Sequence, residues 1–555
     1  MTSTFHGLET ARRALGTNQT AIQTTGHNIA NANTPGYSRQ RVNFAPTEAY
    51  PAPSFNKPGV AGQIGSGVKP GEVQRIRESF LDVQYRSENN KFGFWDGISK
   101  AWTKIEDIMN EPTENGIASS MDRFWRSLQD LSVHPEDSGA RSVVLQQGTA
   151  LAETFNYTYD SLEATQKDYK KQIEVQEKHI NSLLDQINKI NKQIAGVEPH
   201  GFLTNDLYDQ RDLLVDELSL YLNVSVEQVG SGGLSSDVAS GRYTVKLLDD
   251  YGRETGVTLV DGSRLEHHSL KVFFDDSDSG LVEEIYVATS KELALINDDK
   301  LEWEDLRGKG NPLDEFPSMG QFTATIEAFG YIDSEGREKG LLPEMLRDLD
   351  EMVFTFVEEF NKVHQSGWSL YEINEKAVDP NYEKEGFNFF SYKDGPTPID
   401  ENNKGTAARR LQVNNELITD LDKIAASAAA EKEDGEYIPK EIAFTGDGSN
   451  ALALANVKDA NLSFAGSTTN VQSFYQGVIG NMAVNGSEAE RMTKNSETLR
   501  ESVENRRQSV SGVSLDEEMA DLIKFQHAYN AAARSLTVMD EMLDRIINGM
   551  GIVGR

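Results

Sequence analysis

In this 555-residue sequence, the acidic turn at residues 275–280 has side chains that could bind a cation. It carries carboxylates next to a glycine, as calcium-binding loops do. When Gly280 is aligned with the sixth position of such a loop, Ser277 and Ser279 fall at positions three and five. Tyr286 then falls where a bidentate glutamate belongs. The spacing therefore favours a hairpin turn over a calcium site.

Other candidates for catalysis or ligand binding are weaker still. There are nine histidines but no HExxH motif, and we expect the pair His267-His268 to lie on a strand or loop rather than to hold a metal. The absence of cysteine excludes thiolate nucleophiles, disulfides and cysteine-ligated metal sites. The sequence has no P-loop, GxSxG elbow or dinucleotide fingerprint, and the glycines of residues 230–233 have no lysine beside them for a phosphate. We therefore predict no catalytic residue, no metal site, no cofactor and no enzymatic activity.

The charge distribution limits the partners. The formal net charge of -34 disfavours nucleic acid and anionic membranes, because both repel an acidic surface. Residues 51–500 carry -33 of this charge, so both ends are nearly neutral. No run of about 18 apolar residues could span a bilayer, and the N-terminus lacks the pattern of a secretory signal. Composition alone is typical of a cytosolic protein, and a protein that acted outside the cell would need export without a cleaved signal.

The N-terminal segment has an unusual helical pattern. No Asp, Glu, Lys or Arg lies between Ala14 and Ser38. Apolar residues nevertheless recur every seven positions, at Leu8, Leu15, Ile22 and Ile29. The face opposite this stripe is small, polar and uncharged, which suits contact with protein better than contact with water. The alternative is a weakly ordered terminus, because Thr, Asn and Gly are poor helix formers.

The C-terminal segment has the pattern of a coiled-coil seam. One row recurs every seven residues, at Leu515, Leu522, Tyr529, Leu536 and Leu543, with Phe525, Ala532, Met539 and Ile546 in the companion position. Ser514 and Glu517 predict a capping box at the start of a helix roughly 50 Å long. Such a seam needs a partner, and the N-terminal helix of the same chain or of a neighbour is the simplest candidate.

The segments between the two ends predict helices and an inserted β-rich region. Short β-branched stretches bounded by Gly, Asp or Ser predict strands at residues 243–248, 256–262, 270–276 and 283–288. We predict an α+β multidomain fold, in which both chain ends form a terminal α-helical coiled-coil or bundle domain around β-rich insertions. The predicted parts are an N-terminal axial helix and connecting loop (1–60), two parts of a helical bundle (61–223 and 466–512), a β-rich domain (224–340), a helix near 341–365 followed by irregular α/β or β structure (341–465) and a C-terminal axial helix (513–555).

Motifs near both ends resemble one group of proteins. Residues 26–37, GHNIANANTPGY, resemble the signature shared by flagellar rod, hook and hook-associated axial proteins. The asparagines and Pro35-Gly36 of this motif can end a helix and turn the chain. Further motifs narrow the resemblance to the flagellar hook-associated protein 1 family: SRQRV (38–42), QRIR (74–77), FLDVQYR (80–86), DQRD (209–212) with Leu218-Ser219, and the C-terminal segment 511–543. The resemblance covers roughly residues 1–225 and 465–555.

The resemblance and the two heptad patterns together define a predicted assembly interface. Its N-terminal part consists of Leu8, Leu15, Ile22, Asn28, Ile29, Asn31, Asn33, Pro35, Gly36 and Tyr37. Its C-terminal part, for assembly and for an export chaperone, consists of Leu515, Met519, Leu522, Phe525, Tyr529, Leu536, Met539, Leu543 and Ile546.

Membership of this family would imply an extracellular structural subunit at the junction between the flagellar hook and filament. Its partners would be other copies of itself in a helical ring or tube, the hook protein, the third hook-associated protein, and an export chaperone with the type III export apparatus. The alternatives are another axial protein, such as the hook subunit or the third hook-associated protein, a hydrolase within residues 224–465, or an adhesin displayed by the middle domains.

Each terminal helix has too little apolar surface to stay ordered alone, so we predict that both are disordered in the free monomer and fold on assembly. Limited proteolysis of the soluble monomer should rapidly remove about 50 residues from each end and leave a resistant middle. Ends as resistant as the middle would contradict this prediction.

Overall fold

The computed structural model describes residues 5–549 except 51–54, 56–61, 112, 115, 277–279, 317, 396–397, 402, 434–435 and 465. Part of the predicted acidic turn, residues 277–279, thus lies outside the described residues. The helices are α1 (Phe5–Ala30), α2 (Ser79–Met109), α3 (Ile117–Val133), α4 (Ser138–Val197), α5 (Asn205–Tyr221), α6 (Ser290–Asn297), α7 (Gln321–Phe329), α8 (Leu341–Ser366), α9 (Leu370–Val378), α10 (Ala407–Arg410), α11 (Asn415–Thr419), α12 (Ser449–Ala455), α13 (Val471–Ser511) and α14 (Leu515–Gly549).

The strands are β1 (Gln40–Pro46), β2 (Val68–Arg75), β3 (Val224–Val229), β4 (Arg242–Leu248), β5 (Glu254–Asp261), β6 (Glu266–His267), β7 (Ser269–Phe274), β8 (Val282–Ala288), β9 (Tyr331–Ile332), β10 (Glu338–Lys339), β11 (Trp368–Ser369), β12 (Phe390–Tyr392), β13 (Leu411–Val413), β14 (Ala425–Ser427), β15 (Glu431–Glu433), β16 (Glu436–Ile438), β17 (Leu462–Phe464) and β18 (Ser467–Thr469). No helix in the described part of the chain is long and apolar enough to cross a membrane.

Two helix pairs join the beginning of the chain to its end. Helix α1 packs along α14, and α2 packs along α13. The antiparallel ribbon β1–β2 lies against α1 and spans the predicted boundary at residue 60. This arrangement confirms the α+β class with helical ends brought together.

The 60-residue helix α4 supports the rest of the bundle. Its N-terminus is capped by Asp137, whose Oδ1 accepts a hydrogen bond from the Gly139 N–H at 2.8 Å. Apolar residues three, four or seven positions apart, including Phe155, Leu162 and Ile173, are buried along one face. Helices α3, α5, α7 and α8 pack against α4.

The four predicted strands are present as β4, β5, β7 and β8, and they lie in two four-stranded sheets. Strands β3, β4, β5 and β6 follow one another in an antiparallel sheet, whereas the second sheet has the order β10-β9-β8-β7, with β8 parallel to β9. Helix α7, which was not anticipated, belongs to the bundle rather than to the sheets. Its Ala324 is buried against Ile98 of α2 and Ala489 of α13.

An aromatic cluster forms the core beneath the irregular region. Phe389 and Phe390 are fully buried with Phe124, Trp125 and Phe360, and neighbouring ring centroids lie 4.8–6.2 Å apart. Helix α8 confirms the helix predicted near residues 341–365. Residues 370–469 form short helices and two-stranded ribbons on this core.

His364 at the end of α8 connects two segments of that region. One ring nitrogen, Nδ1, lies 2.6 Å from the carbonyl oxygen of Phe387, and Nε2 lies 3.0 Å from the backbone nitrogen of Ala425. Nε2 accepts the Ala425 N–H, so the neutral ring donates through Nδ1. The side chain is fully buried, and burial lowers its pKa from 6.5 to about 4.

This geometry predicts a specific pH dependence of stability. The folded chain binds the His364 proton more weakly than the unfolded chain, so its contribution is present above pH 6.5 and is lost as the pH falls towards 4. The contribution is on the order of 3 kcal/mol. Urea unfolding between pH 7 and 4 should show a smaller loss for His364→Gln than for the parent, with exposed His134→Gln as the control. An unchanged pH dependence in His364→Gln would contradict the prediction.

Candidate assembly site where the two chain ends meet

Helix α1 buries mainly small side chains where it packs against α14 and the β1–β2 ribbon. The residues of α1 that are buried in one chain are Ala11, Thr17, Ala21, Thr25 and Asn28. A Cβ at Gly7 would lie 2.9 Å from Sδ and Cε of Met539, so glycine permits the close approach. The predicted heptad residues Leu8, Leu15, Ile22 and Ile29 are half-buried. Part of their surface therefore remains available for further contacts.

Helix α14 is only partly covered by α1. Among the predicted interface residues, Leu543 is buried, whereas Leu522, Phe525, Tyr529, Leu536 and Met539 are half-buried. Leu515, Met519 and Ile546 are exposed. Four further exposed apolar residues, Ile523, Val538, Met542 and Ile547, lie outside the predicted seam. Met519 and Ile523 are four residues apart, as are Val538 and Met542. A seven-residue repeat does not include this spacing, although the sequence shows it.

The motif after α1 turns the chain towards the body of the molecule. Gly36 has a φ of 77°, and a Cβ there would lie 3.3 Å from the side chain of Leu213. Asn31 donates to the carbonyl oxygen of His27 at 3.1 Å, whereas Asn33 and Pro35 are exposed. The Tyr37 hydroxyl donates to Oδ1 of Asn28 at 2.8 Å. These contacts agree with the predicted role of the motif in ending the helix.

Asn28 has a different role from the turn residues. It is buried within α1, and its Nδ2 donates to the carbonyl oxygen of Gln40 at 2.8 Å and to Oε2 of Glu518 at 3.0 Å. Its Oδ1 accepts from the Gln40 N–H at 3.0 Å. One side chain therefore connects α1 to β1 and to the first turn of α14.

A cluster of buried charges lies directly beneath this joint. It consists of four arginines and four aspartates: Arg75, Arg77, Arg86, Arg507, Asp82, Asp209, Asp212 and Asp216. Arg75 Nη1 lies 2.7 Å from Asp209 Oδ1 and 2.9 Å from Asp212 Oδ2, while Arg86 Nε lies 2.7 Å from Asp216 Oδ1. Their side chains are 2–16% exposed. Because Arg507 belongs to α13 and the others to α2, α5 and the β2 region, the cluster ties the two halves of the chain together.

Asp212 is the central carboxylate of this arginine–aspartate cluster. Burial by itself would raise its pKa, but Arg77, Arg75 and Arg86 outweigh burial and hold the pKa well below the ordinary value. The backbone N–H of Ser38 donates to Asp209 Oδ2 at 3.0 Å, which connects the N-terminal motif to the same cluster. The site is thus electrostatically balanced, and each charge depends on its partners.

Six of the eight charged residues lie in motifs that carried the family resemblance, whereas Asp216 and Arg507 lie outside them, and none of the eight was predicted to form a site. Residues 74–77, 80–86 and 209–212 carried the family resemblance, and the structure brings them into one cluster. A signal was available, since Asp209, Asp212 and Asp216 are three and four residues apart and so lie on one face of a helix. His267 is in strand β6, with Nδ1 3.3 Å from Asn188 Nδ2. Over the described residues, no group of three or more His, Cys, Asp or Glu is placed to hold a metal ion.

Comparison with known proteins decides the family. The flagellar hook-associated protein 1 of Bacillus subtilis (strain 168) is 41% identical over 558 residues, covering 100% of both chains. This chain belongs to the flagellar hook-associated protein 1 family. The family member from Escherichia coli (strain K12) is 24% identical over 615 residues, covering 98% of this chain and 99% of its own.

Family models match the ends and the body separately. The flagellar hook-associated protein FlgK helical domain matches residues 102–377, the flagella basal body rod protein model matches 8–37, and the flagellar basal body rod FlgEFG protein C-terminal model matches 505–549. The structure of the flagellar hook junction protein FlgK from Burkholderia pseudomallei superposes with a TM-score of 0.56 at 14% identity, covering 77% of this chain and all of that one. That likeness supports the fold.

Family membership confirms the resemblance and its general consequence. The chain is a structural, axial component of the bacterial flagellum and assembles with hook and filament components. The two rod-protein models fall on α1 with its motif and on the end of α13 with α14. They therefore mark the two segments that meet at the joint.

Removing one charge from the arginine–aspartate cluster should destabilise the chain. Asp212→Asn keeps the shape of the side chain but leaves Arg75 and Arg77 undercompensated, and we expect a loss of about 3–5 kcal/mol in the free energy of unfolding. Urea unfolding measures this loss. The control is Asp237→Asn, because Asp237 is exposed beside the same cluster. Equal stabilities of the two variants would show that the cluster does not hold the fold together.

Proposed function

We propose that this chain joins the flagellar hook to the filament and permits filament assembly. In this role, neighbouring copies pack their terminal helices together in a helical tube. The observation that carries the proposal is the apolar surface of α14 that remains exposed after α1 of the same chain has docked. Exposed apolar patches on a soluble monomer mark interaction surfaces.

The uncovered apolar residues of α14 form two groups. Near its start, Leu515, Met519 and Ile523 are 49–51% exposed. Near its end, Val538 and Met542 are 47% and 54% exposed, within a group that also includes Ile546 and Ile547. The segment between them, 526–535, contains Gln, His, Asn and Arg. Neighbouring copies can therefore cover each α14 at two levels along its length.

Helix α1 suits the same environment for a different reason. Gln19 and Gln23 are exposed on its outer face, and no Asp, Glu, Lys or Arg lies between Ala14 and Ser38. Copies can pack against this face without burying an unpaired charge, which would be costly. The acidic middle of the chain remains on the outside, where its charge stays solvated. The predicted interface residues on both helices form the proposed contact surface.

The partners in this role are other copies of the chain, the hook protein on one side and the third hook-associated protein on the other. An export chaperone holds the C-terminal helix before the type III apparatus exports the chain, and the mature subunit is extracellular. We assign it no enzymatic activity, no nucleic-acid partner and no membrane insertion. The support is the family of structural flagellar proteins and the charge distribution.

Truncating a seam residue should prevent the junction from forming. Leu522 is half-buried in one chain, so a neighbour can bury the remainder, and Leu522→Ala should cost on the order of 2–5 kcal/mol per assembled subunit. The measurement is electron microscopy of cells that carry labelled subunits, together with the number of filaments per cell. The matched control is Leu295→Ala, because Leu295 is exposed on α6.

The parent and Leu295→Ala should place label at the boundary of hook and filament alone, and Leu522→Ala should leave hooks without filaments. Label along the hook or the filament shaft would instead identify another axial protein. Normal filament numbers with Leu522→Ala would show that the seam is assigned to the wrong residues.

A further inference from the structure

We propose that Arg39 is the positioning residue that fixes the terminal helix pair, α1 with α14, at one angle to the rest of the subunit. In the assembled junction this contact would transmit torque from the body of the subunit to its axial helices. The inference rests on the proposed function, because it assigns a mechanical role within that assembly. It concerns a single side chain that lies between the body and the helix pair.

The main chain of Arg39 is held by the body of the subunit. Its N–H donates to the carbonyl oxygen of Ser511, the last residue of α13, at 2.9 Å. Its carbonyl oxygen accepts from the N–H of Ile76, just after β2, at 2.8 Å. The preceding residue, Ser38, donates through its backbone N–H to Asp209 in the arginine–aspartate cluster. The backbone at residue 39 therefore cannot move without disturbing the body.

The side chain of Arg39 extends to the first turns of α14. Nε lies 2.6 Å from Oε1 of Glu518, Nη1 lies 2.6 Å from Oε2 of Glu517, and Nη2 lies 3.9 Å from Oδ2 of Asp521. The Glu518 side chain is 3% exposed and is also held by Asn28 of α1. One guanidinium thus holds both helices of the terminal pair, α14 directly and α1 through Glu518.

Of the two hydrogen bonds in the capping box predicted at the start of α14, the one to the Ser514 hydroxyl forms, and Arg39 takes the carboxylate that would make the other. The Ser514 hydroxyl accepts from the Glu517 N–H at 3.5 Å, as a capping residue should. The Glu517 carboxylate is directed to Arg39 instead of to the backbone of Ser514. The first turn of α14 is therefore anchored to the body.

The link between the body and the helix pair is short and lies beside an open cleft. Helix α13 ends at Ser511 and α14 begins at Leu515, so three residues link them. A cleft of about 500 Å³ lies between the 32–39 loop, Leu213 of α5 and residues 508–514. Because this space is not filled by side chains, the forked contacts of Arg39 are well placed to resist rotation about the link.

Arginine suits this position better than lysine. Its planar guanidinium reaches two carboxylates in fixed directions, whereas an ammonium group is a compact point charge on a flexible stem. Arg39→Gln removes the contacts, and Arg39→Lys keeps the charge without the fork. The matched control is Arg41→Gln, because Arg41 lies two residues further along the chain, in β1, and is exposed.

The angle can be measured in assembled flagella. The chain has no cysteine, so Ser502→Cys on α13 and Ser535→Cys on α14, both exposed, give two nitroxide labels and no others. Labelled subunits diluted with unlabelled ones report distances within one chain by double electron–electron resonance. We expect Arg39→Gln to widen the distance distribution roughly two-fold, Arg39→Lys to widen it less, and Arg41→Gln to leave it unchanged. Under shear, cells with Arg39→Gln should shed filaments that the Arg41→Gln cells retain.

The outcomes separate this inference from the proposed function. A parental width for Arg39→Gln, or equal widening by Arg41→Gln, would overturn the role of Arg39 while leaving the junction assignment intact. If Arg39→Gln does not assemble, the width measured for Arg39→Lys decides in the same way. Failure of both Arg39 variants to reach the junction would also overturn the role of Arg39. That role requires variant subunits that assemble and then vary in the angle between the helix pair and the body. Absence of the unsubstituted protein from the hook–filament boundary would instead refute the proposed function.

Discussion

The rest of the structure depends on a balanced set of buried charges. Four arginines and four aspartates from α2, α5, α13 and the β2 region lie beneath the joint, with side chains that are 2–16% exposed. Such a cluster adds little net stability compared with an apolar core, but the loss of any one member leaves a buried charge without a partner. Arrangements of these helices that keep every buried charge paired are therefore favoured, and arrangements that separate a pair are costly. The helix pair α1–α14 can present a defined surface because its base is held in this way.

The ends and the middle of the chain are suited to different environments. The uncharged face of α1 and the apolar groups on α14 suit a surface that other copies will cover. Most of the net charge of -34 lies in the middle, which has its own buried core of sheets, α8 and aromatic rings. Arg39 lies at the boundary between these regions, with its main chain bonded to one and its side chain to the other. The mechanical behaviour of the subunit therefore depends on a small number of contacts at that boundary.

Local pattern was a good guide for several of the long elements. The heptads of α14, the stripe along α4 and the alternating strands near residues 243–288 each repeat often enough to specify a period. Residues 370–465 could not be assigned from pattern because their strands and helices are mostly three to nine residues long, such as β13 and α11. These short elements exist because Phe389 and Phe390 are buried against α8 and because His364 bonds to two of the segments. None of those contacts is local in sequence.

The amino-acid sequence by itself determined the helical ends, the β-rich insertion and the family, because periodicity and short motifs are local properties of the chain. It also determined that the two ends carry apolar seams in need of partners. Tertiary structure alone decided which faces remain uncovered and which charged residues meet. Asn28 illustrates the difference: its place in the motif predicts a helix end, yet its side chain bonds to Gln40 and to Glu518, 490 positions further along the chain. Contacts over such separations arise from folding, since no local pattern states which distant residue will complete a hydrogen bond or an ion pair.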